Sequence, residues 1–136
     1  MQTLTGLPEF PDRPSSGHKG TFGQALIAAG SRGMSGAAVL AGLGALRSGT
    51  GLVRLAVPMG VERVVASYEP SYLVLGLPED ELGRTGGGAM SRLLKASESA
   101  TAVAIGPVGV LVIRCRRWPL VCSRRWSVRL WSTPTD

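Results

Sequence analysis

The sequence predicts an α/β fold built on a mostly parallel sheet with helices on both faces. Two observations carry that expectation. In the first 107 residues, short and continuously apolar runs alternate with stretches of helical periodicity, and each run is closed by glycine or proline. Strands that alternate with helices imply crossover connections, and hence parallel strands in a sheet covered on both sides. A third observation sets the scale: 136 residues, 44% of them hydrophobic, can build one modest core and are too few for two domains of ordinary size.

The arm Leu7-Pro-Glu-Phe-Pro-Asp-Arg-Pro14 cannot be helix interior, because each proline lacks a donor and constrains the residue before it; it is expected to be extended. After His18-Lys19-Gly20, the run Gly23-Gln-Ala-Leu-Ile-Ala-Ala-Gly30 reads as a first buried strand, and a glycine-punctuated turn follows from Gly30 to Gly36. Between Ser35 and Ser48, Val39, Leu40, Leu43 and Leu46 recur at helical spacing, with Ser35 as the expected N-cap and Gly49 and Gly51 as the stop. The rest of that helix is largely alanine and glycine. Each interior glycine costs about 1 kcal/mol relative to alanine, so a close approach of the helix backbone to the sheet or to a ligand is expected.

Leu52 to Val57 then reads as a second strand stopped by Pro58, Val61 to Tyr68 as a helix, and Tyr72 to Pro78 as a third strand. Glu79-Asp-Glu81 with Gly86-Gly-Gly88 reads as a loop whose acids form a solvated charge run. Met90 to Ala96 is a short helix, and Thr101 to Ile105 a fourth strand that ends at Gly106-Pro107.

The composition breaks at that point, which divides the chain into a domain over 1–107 and a tail over 108–136. The tail holds all three tryptophans, both cysteines and six of the thirteen arginines, against Asp136 as its one acid. Residues 1–107 hold nine Lys or Arg against eight Asp or Glu, so the chain's excess positive charge belongs to the tail. Cys115 and Cys122 fit neither a CxxC redox pair nor a zinc ligand set, and no metal site is expected. Arginines interleaved with tryptophans could track phosphates and stack on bases, but no zinc-finger or RNP-like pattern accompanies them, and nucleic acid is not the expected partner. No apolar run reaches the roughly 20 residues that span a bilayer, and the opening residues lack the apolar centre of a secretory signal, so no membrane association and a cytoplasmic location are expected.

The turn from Gly30 to Gly36 is the strongest local candidate for chemistry. Between a buried strand and a helix it exposes backbone amides at a helix N-terminus, where unpaired donors and the helix dipole favour an anion. It has neither the G-x-G-x-x-G nor the G-x-x-x-x-G-K-[ST] spacing, so the pattern leaves a phosphate site and a plain tight connection both open. His18, the single histidine, is a candidate general base or substrate contact and equally a surface residue. No paired carboxylates and no Ser-His-Asp set stand out, and no catalytic residue is assigned.

Four segments in order, Leu7-Pro…Arg13-Pro…Ser16-Gly-His18-Lys19-Gly20-Thr-Phe-Gly23, Ala29-Gly-Ser-Arg-Gly-Met-Ser-Gly-Ala-Ala38, Ala45-Leu-Arg-Ser-Gly-Thr-Gly-Leu-Val53 and Ala104-Ile-Gly-Pro107, resemble the ADP- or ATP-dependent NAD(P)H-hydrate dehydratases. The resemblance implies the N-terminal portion of a ribokinase-like three-layer α/β/α fold. It also implies a lyase of metabolite repair, which dehydrates hydrated NADH or NADPH with ADP or ATP, and with magnesium as a further candidate cofactor. Gly36, Ala37, Ala38, Gly106 and Pro107 would line the hydrated-dinucleotide site, and a homo-oligomer is open. A fragment of a ribokinase-like small-molecule kinase and a basic nucleic-acid-binding module are the alternatives.

The departures from that pattern are as informative. The family continues its Gly-Pro turn as G-P-G-x-G, whereas this sequence reads Gly106-Pro-Val108-Gly-Val110. The V-D-A-D-G-like strand end, the H-P-G-E turn, the lysine-glycine nucleotide segment and the G-T-G-D motif with its aspartate base are absent. The resemblance therefore implies that neither nucleotide nor magnesium binds this chain well and that it is inactive alone. G-rich codons for Leu130-Trp-Ser-Thr-Pro-Thr-Asp136 permit Val-Val-Asp-Ala-Asp-Gly in a shifted frame, and the same frame permits Gly-x-Gly after Gly106-Pro107. The expectation is a single-base slip near codon 107, with 108–136 as out-of-frame sequence.

Overall fold

The computed structural model describes residues 12–106, so most of the proline-rich arm, Pro107 and the basic tail lie outside the described residues. Seven elements alternate along the chain: β1 (Gln24–Ala28), α1 (Ser35–Arg47), β2 (Leu52–Pro58), α2 (Met59–Tyr68), β3 (Tyr72–Leu77), α3 (Ala89–Ser97) and β4 (Ala102–Ile105). The strands form one sheet in the order β3-β2-β1-β4, and every pairing is parallel. Each strand and helix expected in this span is present.

Side chains alternate across the strands and divide the core into two layers. Ile27 and Ala29, with Val53, Leu55 and Val57, face α1 and α2, where they meet Ala38, Val39, Val61 and Val65. Leu26, Ala28, Ala56 and Leu77 face the other way and pack against Ala89, Leu93 and Ala96 of α3. Leu26, Val53, Leu55, Val57, Val65 and Leu77 are fully enclosed, and each such side chain contributes about 1.5–3 kcal/mol on burial.

Helix α1 turns three of its four large residues to the core as their spacing suggests, Val39 buried and Leu43 and Leu46 packed against the cluster, and departs from it only at Leu40. Its buried residues are Ala38, Val39 and Gly42, while Leu40 is 70% exposed. The reason is a ring. Tyr72 at the start of β3 lies under the helix and donates its hydroxyl to the Val39 carbonyl at 2.8 Å, and a Cβ on Gly42 would stand 2.8 Å from Tyr72 Cζ. The close approach expected of the interior glycines is thus real at Gly42. It is absent at Gly44, where an added Cβ meets nothing within 4 Å.

The N-terminus of α1 also differs by one residue from expectation. Ser35 is the first helical residue, and Met34 is the cap, with no side chain bonded to the first turn. At the other end, Gly49 adopts φ +96° and its amide returns to the Leu46 carbonyl at 3.0 Å, which stops the helix as expected. Pro58 closes β2 and serves as N-cap of α2, a position that needs no donor from it.

Candidate anion-binding site

All four strands run the same way, so their carboxyl ends share one side of the sheet. From β1 the chain steps outward to β2 and β3 with α1 and α2 on one face. It then returns over the other face through α3 to lay β4 on the opposite side of β1. The sheet therefore reverses direction between β1 and β4, and at such a switch point the crevice beyond the carboxyl ends receives ligands in open α/β sheets.

The connection that leaves β1 at this point is the glycine turn. Gly30 and Gly33 adopt φ +81° and +78°, conformations that cost glycine nothing. A Cβ on Gly30 would come within 3.2 Å of Ala38 Cβ, so the turn is folded tightly onto the helix start. The Met34 amide bonds to the Ser31 carbonyl at 2.9 Å, and the Ala37 amide to the Met34 carbonyl at 3.3 Å. The amides of Ser35 and Gly36 find no acceptor among the described residues. No acidic residue occupies the first turn of α1, so the positive end of its dipole is not neutralised by its own side chains.

The residues singled out by the resemblance fall in different environments. Gly36 is exposed in the first turn of α1, with open space where a Cβ would project. Ala37 is half-buried. Ala38 is fully enclosed in the core between helix and sheet, so its side chain reaches no ligand, and its small size lets the turn pack down. Gly106 stands one residue past β4 at φ +139°, and its amide donates to the Ala28 carbonyl at 3.0 Å, which extends the β1–β4 ladder into the crevice. Pro107 lies outside the described residues.

His18 is not brought to this turn. It precedes β1, at the amino edge of the sheet, is exposed, and accepts the Gly20 amide at Nδ1 over 3.1 Å. Lys19 lies beside it, and its carbonyl is packed so close to Gly51 that a Cβ there has no room. Both residues stand at the end of the sheet opposite Gly36.

The acidic loop is not the solvated run that its sequence suggests. Glu79 accepts the Gly60 amide at 2.8 Å and the Arg32 guanidinium at 3.2 Å. Asp80 accepts the amides of Leu82 and Arg84, at 3.0 and 2.9 Å, and the Arg84 guanidinium at 2.8 Å. The Arg84 amide, then its guanidinium, hold the Asp80 carboxyl below the ordinary aspartate value. Only Glu81 is left exposed and without a hydrogen bond among the described residues. Composition could not reveal this, because the partners lie 19 and 47 residues from Glu79. Both inner carboxylates are engaged, and the described residues hold no group of three His, Cys, Asp or Glu side chains. No helix among them is long and apolar enough to cross a membrane.

Comparison with known proteins places this geometry in a family. Residues 25–109 match the family model described as NAD(P)H-hydrate dehydratase. A bifunctional NAD(P)H-hydrate repair enzyme of Moorella thermoacetica is 39% identical over 99 residues, which are 73% of this chain and 19% of that enzyme. An ADP-dependent (S)-NAD(P)H-hydrate dehydratase of Bacillus subtilis is 41% identical over 98 residues, which are 72% of this chain and 32% of the enzyme. A ribokinase-like superfamily protein of Enterococcus faecalis V583 superposes with a TM-score of 0.60 at 24% identity, over 74% of this chain and 32% of that one. The chain thus spans about a fifth to a third of the length of these relatives.

Proposed function

Because the chain belongs to the NAD(P)H-hydrate dehydratase family, we propose that residues 12–106 form the dinucleotide-receiving part of such an enzyme, with hydrated NADH or NADPH as the ligand. The observation that carries this reading is the pair of amides at Ser35 and Gly36, which find no acceptor among the described residues and stand at the start of a helix with no acid in its first turn. Two amides and a helix dipole suit the pyrophosphate of a dinucleotide. The absence of a side chain at Gly36 lets a phosphate oxygen approach the backbone. Gly106, across the β1–β4 switch, supplies the other wall. In this reading Ala37 borders the ligand and Ala38 supports the turn from below.

The family's reaction is driven by ADP or ATP. The proposed role of residues 12–106 is to bind the hydrated dinucleotide, in the cytoplasm where these dinucleotides are used. Calorimetric titration tests it. The 136-residue chain should bind hydrated NADPH saturably, and Gly36→Asp should remove that binding, since its carboxylate takes the place of the phosphate at the helix N-terminus. The site is open to a Cβ and a first-turn acid suits a helix, so the variant should fold at least as well as the parent. Equal affinity in the two proteins would refute the assignment.

A further inference from the structure

We propose that Glu79 is a positioning residue for the turn after β1, acting through Arg32; the role rests on the dinucleotide reading, because the same turn would receive the ligand. Glu79 stands two residues past β3 and its side chain is 23% exposed. Its carboxylate ties two chain segments together. One oxygen takes the Gly60 amide in the first turn of α2 at 2.8 Å, and the other takes Arg32 Nη2 at 3.2 Å. Arg32 is also held by its backbone, whose amide donates to the Gly83 carbonyl at 2.9 Å.

The loop that makes these contacts is itself built. An antiparallel bridge joins Glu79 to Thr85, and Asp80 gathers the Leu82 and Arg84 amides inside it. Glycine lies on both sides of the ion pair, and at Gly83 it is required. A Cβ on Gly60 would lie 2.8 Å from the Glu79 carboxylate, and one on Gly83, at φ +70°, would lie 2.5 Å from Arg32 Cβ. Arg32 precedes Ser35 by three residues, so a clasp on Arg32 sets where the open amides of Ser35 and Gly36 stand relative to the strand ends. The carboxylate is thus placed to govern the site without touching a ligand.

Amide hydrogen exchange on the ligand-free chain, followed by titration with hydrated NADPH, tests the role. In Glu79→Ala the amide at position 32 should exchange about tenfold faster, with Leu26 and Ile27 of β1 unchanged as internal reference. Affinity for hydrated NADPH should fall about fivefold to tenfold. Glu79→Gln keeps an acceptor for Gly60 but loses the charge that faces Arg32, and should fall between parent and Glu79→Ala in both readouts. Arg32→Met should match Glu79→Gln, and adding Arg32→Met to Glu79→Ala should cost nothing further. Glu81→Gln, on the exposed neighbour, should change neither.

If Glu79→Ala does not fold, Glu79→Gln and Arg32→Met carry the test, since Arg32 is 60% exposed and the partly exposed Glu79 carboxylate keeps the Gly60 amide in its absence. Unchanged exchange at position 32 in those two variants overturns the positioning role, whatever happens to affinity. Faster exchange in a chain that binds no hydrated NADPH upholds the clasp and overturns the dinucleotide reading alone.

Discussion

Gly36 and Ala38 sit two residues apart at the start of α1, and burial gives them different tasks. The backbone at Gly36 faces open space, whereas the Ala38 methyl is enclosed against Gly30 and the sheet. The resemblance named both, and it could not separate them, because a motif records which residues are small and not which way they face. The acids divide in a similar way: Glu79 clasps, Asp80 folds its own loop, and Glu81 is exposed. Asp80 supports a prediction from its titration. Its carboxyl is held below the ordinary value of 3.8, so the stabilisation it gives the loop is present above that value and is lost as pH falls through the lower, folded one. The Leu82 and Arg84 amides should therefore shift on titration from about pH 6 to about pH 2 with an inflection below the free aspartate value. An inflection above it would mean that Asp80 does not hold those amides in solution.

At the scale of elements, the strands were legible because each is a short apolar run closed by glycine or proline, and β2 shows the pattern best, from Leu52 to Pro58. Helix α1 was legible in place and, apart from Leu40, in orientation, since Val39, Leu43 and Leu46 all pack against the core. Leu40 falls just outside the buried arc, about 100° around the helix from Val39, because the other side of Val39 is taken by Ala38 and Gly42, the small residues where the helix meets the sheet and Tyr72. Hydrophobicity ranks leucine above glycine, and it therefore misplaces Leu40 and misses Gly42. A pair of substitutions checks this. Gly42→Ala gains about 1 kcal/mol of helix propensity but drives a methyl into the Tyr72 ring at a cost of about 1–3 kcal/mol, so urea unfolding should show a net loss. Gly44→Ala meets nothing within 4 Å and should raise stability by about 0.5–1 kcal/mol. Equal gains at the two positions would show that Tyr72 does not lie under the helix.

Across the whole molecule, alternation of strands and helices announced a parallel sheet, but the order β3-β2-β1-β4 was not written in any local pattern. In the proposed reading that order makes the glycine turn one wall of the ligand site, because it brings Gly106 beside β1. It also puts His18 and Lys19 at the far edge of the sheet, which their sequence context gave no means to see. The family match ends at residue 109, next to the composition break after Pro107, and a frame slip at that codon remains our proposal for the tail. The site is most directly tested by titrating hydrated NADPH into isotope-labelled chain and following the backbone amides. Saturable shifts should concentrate at Arg32 to Ala37 and at Gly106, with His18 to Gly20 unmoved. Shifts centred on His18 to Gly20, or none at Ser35 and Gly36 at saturation, would contradict the placement of the ligand at the carboxyl ends of β1 and β4.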